Sequence, residues 1–98
     1  MSTYLFEQWK YARWRRGERF YRCEVRQDLF GNWVVVRQWG GVSSGKWGAK
    51  EMVCKDYEEA EALFETIAQR REKRNYFLVE SEHSRDPVKL VALGLLEQ

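Results

Sequence analysis

Gly40-Gly41-Val42-Ser43-Ser44-Gly45-Lys46-Trp47 has the spacing G-x-x-x-x-G-K of a phosphate-binding loop. Two features argue against that chemistry. Trp47 stands where a Ser or Thr hydroxyl would hold magnesium, and the residues that follow read as a strand rather than a helix whose first N–H groups cradle phosphate. His83, the one histidine, lies in the polar stretch Ser81-Glu82-His83-Ser84-Arg85, which suits a solvated ring better than a general base. Glu58, Glu59 and Glu61 resemble a carboxylate cluster, but on a helix they are the acids that its first turns favour. Cys23 and Cys54 are too far apart in sequence for a C-x-x-C pair and read as buried reduced thiols, with a single disulfide as the alternative. No catalytic constellation emerges, and no metal or small-molecule cofactor is expected.

Trp39 is different. It ends a β-branched run two residues after Arg37 and opens a glycine-rich segment containing Lys46, with Lys50 beyond. A Trp beside Arg37, Lys46 and Lys50 offers a stacking platform among cations, the combination that nucleic-acid surfaces use. Counting by twos puts Trp39 with Arg37, Val35 and Trp33. An arginine is a poor core residue, so this parity predicts Trp39 on the exposed side of the sheet; the other reading packs it under the loop.

The elements that position these residues follow from pattern. Tyr4 to Tyr11 reads as a strand by its aromatics. Phe20 to Arg26 alternates, with Tyr21, Cys23 and Val25 on one face. The turn Leu29-Phe30-Gly31-Asn32 leads into Trp33–Trp39, Gly40 to Gly45 reads as a loop, and Lys46 to Cys54 returns as a strand. Asp56 is an N-cap type residue. Ala60, Leu63, Phe64 and Ile67 then make one apolar stripe on a helix of about eighteen residues, with Arg70, Arg71, Lys73 and Arg74 in its last turn. Tyr76 to Val79 suits a further short strand, and Asp86-Pro87 starts a second, shorter helix to Gly94. The sum is an α+β domain: a small antiparallel sheet with one long helix across one face and a short C-terminal helix.

Composition sets the outer bounds. The 98 residues, 44% hydrophobic, include five Trp, five Tyr and five Phe, which excludes a disordered tail. A chain of this size buries roughly 60–70% of its unfolded surface, too little for a large two-lobed enzyme. Net charge is only +2, but its distribution is uneven. Lys10 to Arg26 holds seven bases and two acids, while Asp56 to Glu65 holds five acids and no base. Such asymmetry steers an anion to one face. No apolar run reaches the roughly 18 residues of a membrane span, which favours a soluble cytoplasmic protein.

Phe20-Tyr21, Leu29-Phe30-Gly31-Asn32-Trp33, Val36-Arg37-Gln38-Trp39-Gly40-Gly41-Val42, Glu59-Ala60-Glu61-Ala62 and Arg70-Arg71-Glu72-Lys73-Arg74 occur in the order found in the WGR domain. The chain resembles that family over about residues 19–76, and its bacterial stand-alone members share the Phe-Tyr and Leu-Phe-Gly pattern. The resemblance implies residues 1–80 as the domain and 81–98 as an extension. It implies a non-catalytic module that binds DNA ends or breaks, as in DNA-dependent poly(ADP-ribose) polymerases. The signature Trp falls on Trp39 and the Gly on Gly40, while the signature Arg falls on Gly41, which has only backbone to offer. Arg37, Lys46 or the cluster Arg15, Arg16 and Arg19 then has to supply the missing charge. The alternative is a protein-interaction or assembly module, including a homodimer, formed through the apolar stretch Val88 to Leu96.

Overall fold

A computed structural model describes residues 4–83. Five strands, β1 (Lys10–Arg16), β2 (Arg19–Gln27), β3 (Trp33–Gly41), β4 (Trp47–Val53) and β5 (Phe77–His83), form one antiparallel sheet in the order β4-β3-β2-β1-β5. One helix, α1 (Tyr57–Lys73), crosses one face. The expected α+β architecture holds for these residues; the expected helix from Asp86 to Gly94 lies outside them.

β2 forms because its alternation matches the strand period. Tyr21, Cys23, Val25 and Gln27 are buried, and the residues between them are less so. Opposite residues in an antiparallel pair share a face, so Tyr21 with Trp39, Cys23 with Arg37 and Val25 with Val35 all point toward α1. The core joins Ala12, Trp14, Tyr21, Cys23, Val25 and Val35 of the sheet to Ala60, Phe64 and Ile67 of the helix. Burial pushes the Cys23 thiol up to about 12, which keeps it protonated at neutral pH. Both cysteines are free and buried, as the spacing predicts.

The helix is held at both ends and in the middle. Asp56 Oδ1 accepts from the Glu59 N–H at 2.8 Å, and the Glu59 carboxylate reaches back to the Lys55 N–H at 3.3 Å. Lys10 on β1 pairs with Glu61 at 2.9 Å and Glu65 at 3.8 Å, tying strand to helix. At the C-terminus Asn75 adopts φ +65°, and the Tyr76 N–H donates to the Arg71 carbonyl at 3.0 Å. This left-handed cap turns the chain back so that Tyr76 lies beside the helix end.

Three expectations need correction. The first strand is Lys10–Arg16, not Tyr4 to Tyr11; Phe6–Gln8 is a turn of 3-10 helix in which Tyr4 stacks on Phe6, and Phe6 meets Trp9. Aromatic content misread that segment, and Arg13, Arg15 and Arg16 around Trp14 masked the true alternation. Gly40 and Gly41 belong to β3 rather than to the loop. A Cβ on Gly40 would sit 2.5 Å from the Lys46 carbonyl oxygen, so glycine serves there to let two strands approach closely. Third, Trp33, Val35, Arg37 and Trp39 share the helix-facing side with Tyr21, Cys23 and Val25, and Arg37 is accommodated there because it and Trp39 line a cavity at the C-terminal end of α1 rather than a sealed core.

Candidate nucleic-acid interface

Beyond the last turn of α1 the helix-facing side of the sheet is uncovered, and aromatic rings and guanidinium groups fill the space. Trp39, 38% exposed, stacks on Tyr21 with ring centroids 6.1 Å apart and planes 19° from parallel. Its indole lies over Gly48 of the neighbouring strand, where a Cβ would come within 2.8 Å of the ring. Tyr21 also meets Trp14 and Tyr76 edge-on. The Trp39 ring is thus fixed from two sides with one surface left to solvent.

Arg71 carries the charge into this cluster. It is buried, at 7% exposure, with its guanidinium carbon 4.0 Å from the Tyr21 ring centre and 5.1 Å from that of Tyr76. Arg19, Tyr21, Arg37, Trp39, Arg71, Arg74 and Tyr76 line one cavity of about 290 Å³. A second, of about 310 Å³, adjoins it along Trp39 and Tyr76 and reaches Gly41, Ser44 and Lys46. Among the described residues no carboxylate lies within ion-pair distance of Arg19, Arg37, Arg71 or Arg74; the ion pairs found join Lys10 to Glu61 and Glu65, and Arg13 to Glu80. The buried Nε atoms of Arg37 and Arg71 have no hydrogen-bond partner among the described residues. Uncompensated buried charge is costly, so an arrangement of this kind suits an anion supplied from outside.

The helix dipole opposes anion binding here, since a C-terminus carries about half a negative charge. Arg16 offsets part of it by donating to the Arg74 carbonyl at 2.9 Å, with its guanidinium over Tyr76. The arginines around the groove outweigh the remainder. The acids Glu58, Glu59, Glu61 and Glu65 lie along the first half of the helix, away from this end, so the charge asymmetry of the sequence becomes an asymmetry in space.

The expected residues divide between two faces. Arg16, Arg19, Arg37, Trp39, Gly41 and Lys50 fall on the helix-facing side, with Lys50 directly opposite Arg37 and Arg19 directly opposite Gly41. Lys46 lies on the β3–β4 loop and joins them at the second cavity. Arg15 and Gly40 are on the other face, where Arg15 donates to the Gly17 carbonyl. Sequence reasoning missed Arg71, Arg74, Tyr76 and Gly48. The signal for Arg71 was present, because the buried positions Ala60, Phe64 and Ile67 continue at helical spacing to residue 71.

A further cavity, about 630 Å³, is lined by Tyr4, Phe6, Trp9, Leu29 and Phe30 at the opposite end of β2. Its one cation, Arg26, is accompanied by Asp28 and Glu51, which makes it unsuited to a polyanion. Hydrogen bonds from the Phe30 and Asn32 N–H groups and the Asn32 side chain outweigh desolvation, so the Asp28 carboxyl lies below its ordinary value and stays ionised.

The described residues thus form an antiparallel sheet crossed by one helix, with a half-exposed Trp and arginines that have no described carboxylate partner at one end. The sequence profile of the WGR domain matches residues 3–85, and the chain belongs to that family. The match extends beyond the stretch 19–76 that carries the motifs and takes in all five strands. The family is in general a nucleic-acid-binding module. No curated protein matches the chain significantly. No solved structure does so either. No described helix is long and apolar enough to cross a membrane.

Proposed function

We propose that this domain binds DNA at an end or break without performing catalysis: Trp39 stacks on a terminal base while Arg19, Arg37, Arg71, Arg74, Lys46 and Lys50 meet phosphates. The observation that carries this reading is the group of guanidiniums with no carboxylate partner among the described residues, beside the half-exposed Trp39 ring. Stacking alone contributes about 1–3 kcal/mol, so phosphate contacts must supply much of the affinity. The alternative protein-interaction module rests on the replacement of the signature Arg by Gly41, on the small net charge and on Val88 to Leu96, which lie outside the described residues.

Titration into fluorescent duplex DNA bearing a 5′-phosphate is expected to give saturable binding with quenching of Trp emission. Affinity should fall with salt by about 0.9 logarithmic units per phosphate contact for each tenfold rise. Absence of binding at low salt would defeat the proposal.

The Gly41 departure gives a second prediction. Arg19 stands directly across the ladder from Gly41 and supports the same patch, so binding survives without the signature Arg. An added side chain at 41 would bring its Cβ within 2.6 Å of Ser44 Oγ, and Ser44 Oγ in turn accepts from the Lys46 N–H. Gly41→Arg combined with Ser44→Gly is expected to steepen the salt dependence by about 0.9 and to tighten low-salt binding several-fold. Gly41→Arg alone should gain less, since the loop must first give way. Anisotropy at several salt concentrations measures both.

A further inference from the structure

The face of the sheet away from α1 is covered by the Phe6–Gln8 turn and its neighbours only near Arg26, Val34 and Glu51, and at its other end it carries a row of rings. Following the ladder across all five strands, Phe77, Arg15, Phe20, Gly40 and Trp47 are successive direct neighbours. Phe77 is 75% and Trp47 68% exposed. Strands lie about 4.8 Å apart, so Phe77, Phe20 and Trp47 are spaced at roughly 10 Å, with Gly40 leaving the gap between the last two free of any side chain. Large exposed rings in a line mark a binding surface.

Charge selects the occupant. The next row along the strands holds Glu80, Arg13, Arg22, Gln38 and Ala49, so its one acid lies at the β5 edge beside Arg13, and Glu82, Glu24 and Glu51 come in the row beyond. Arg22 has a buried Nε without a partner, and its guanidinium lies over the Tyr11 ring at 5.2 Å. Arg15 is held at the ring row by its bonds to Gly17. Arg13 is partly neutralised by Glu80 at 3.7 Å. Rings flanked by arginines fit a chain of unpaired bases on a phosphate backbone, because every base offers a π-face and a paired duplex does not.

We propose that this open face is a second surface that takes single-stranded nucleic acid, its bases stacking on Phe20, Trp47 and Phe77 and its phosphates meeting Arg15 and Arg22. This surface does not depend on the groove around Trp39. The cavity beside Lys46 is lined by Phe20 and Trp39 together, so a strand leaving the groove has a continuous path over the end of the sheet.

The test is anisotropy of the full chain with fluorescent oligothymidylate and, separately, with a blunt 5′-phosphorylated duplex. Trp47→Ala and Phe77→Ala remove exposed rings and leave the core intact. Each is expected to weaken oligothymidylate binding by roughly fivefold or more and to leave the blunt duplex unaffected. Arg22→Gln should reduce the salt dependence for the single strand. Oligothymidylate that does not bind, or that binds Trp47→Ala and Phe77→Ala as tightly as the parent, overturns the proposal. Loss of oligothymidylate binding in Trp39→Ala with no effect of Trp47→Ala also overturns it, and assigns the single strand to the groove. Failure of the blunt duplex alone would count against the groove reading and leave this surface standing.

Discussion

Arg71→Met is expected to weaken binding to duplex DNA by tenfold or more without lowering the melting temperature. The two effects follow from one observation: a buried guanidinium with no described carboxylate in reach and an unpartnered Nε. Its compensation is the pair of rings at 4.0 and 5.1 Å, and cation–π attraction contributes about 2 kcal/mol when desolvated. Removing a cation from water costs several kcal/mol, so the free protein holds this charge at little or no net gain. Methionine keeps the apolar stem, and its sulfur makes contacts of about 0.3–1.5 kcal/mol with aromatic rings. The fold should lose nothing, and a gain of 1 kcal/mol would raise the melting temperature by about 4–8 °C. Binding has no such substitute. A charge-assisted hydrogen bond to phosphate is worth about 1.5–3 kcal/mol, or about tenfold to a hundredfold in affinity. Arg71→Lys should recover part of the affinity but not the fork geometry. A variant that melts well below the parent yet binds equally would make Arg71 a structural residue. Thermal denaturation and anisotropy together decide it.

Arg71 also shows how far sequence reasoning reaches. The apolar stripe of α1 was plain, but a stripe is read by its apolar members, and reading stopped at Ile67. The next inward position holds a charge, and only the tertiary fold shows that the helix end overhangs an aromatic cluster able to house it. Trp39 failed in a related way. Its parity with Arg37 was right, and the inference that an arginine must face outward reversed the side. That rule presumes a sealed core under the helix, whereas Arg37 and Trp39 line a cavity at its C-terminal end. β2, β4 and the capped start of the helix were legible because strand alternation and the Asp56 cap are local. The β5 pairing to β1, the left-handed Asn75 and the close approach at Gly48 depend on partners distant in sequence.

Trp39→Ala is expected to weaken duplex binding by about fivefold to a hundredfold, the range of one base stacked on one ring. Its salt dependence should not change, because no charge is removed. This is the contrast with Arg71→Met, which should flatten the salt dependence by about 0.9, so the two variants separate stacking from phosphate contact even if their affinities coincide. Stability should fall by less than the about 3–5 kcal/mol of a fully buried ring, since Trp39 is 38% exposed. Trp39→Phe should restore part of the affinity, as a smaller ring still stacks on Tyr21. Gly48→Ala tests position rather than presence: its Cβ would come within 2.8 Å of the indole and force the ring off its seat while leaving it in the protein. A weaker complex in Gly48→Ala, with Trp emission less quenched by DNA, would mean that the fixed orientation of the ring, and not merely its apolar surface, is what the DNA end reads. Equal binding by Gly48→Ala and the parent would leave the ring as an unspecific apolar contact, and any preference for ends over continuous duplex would then have to come from the arginines alone.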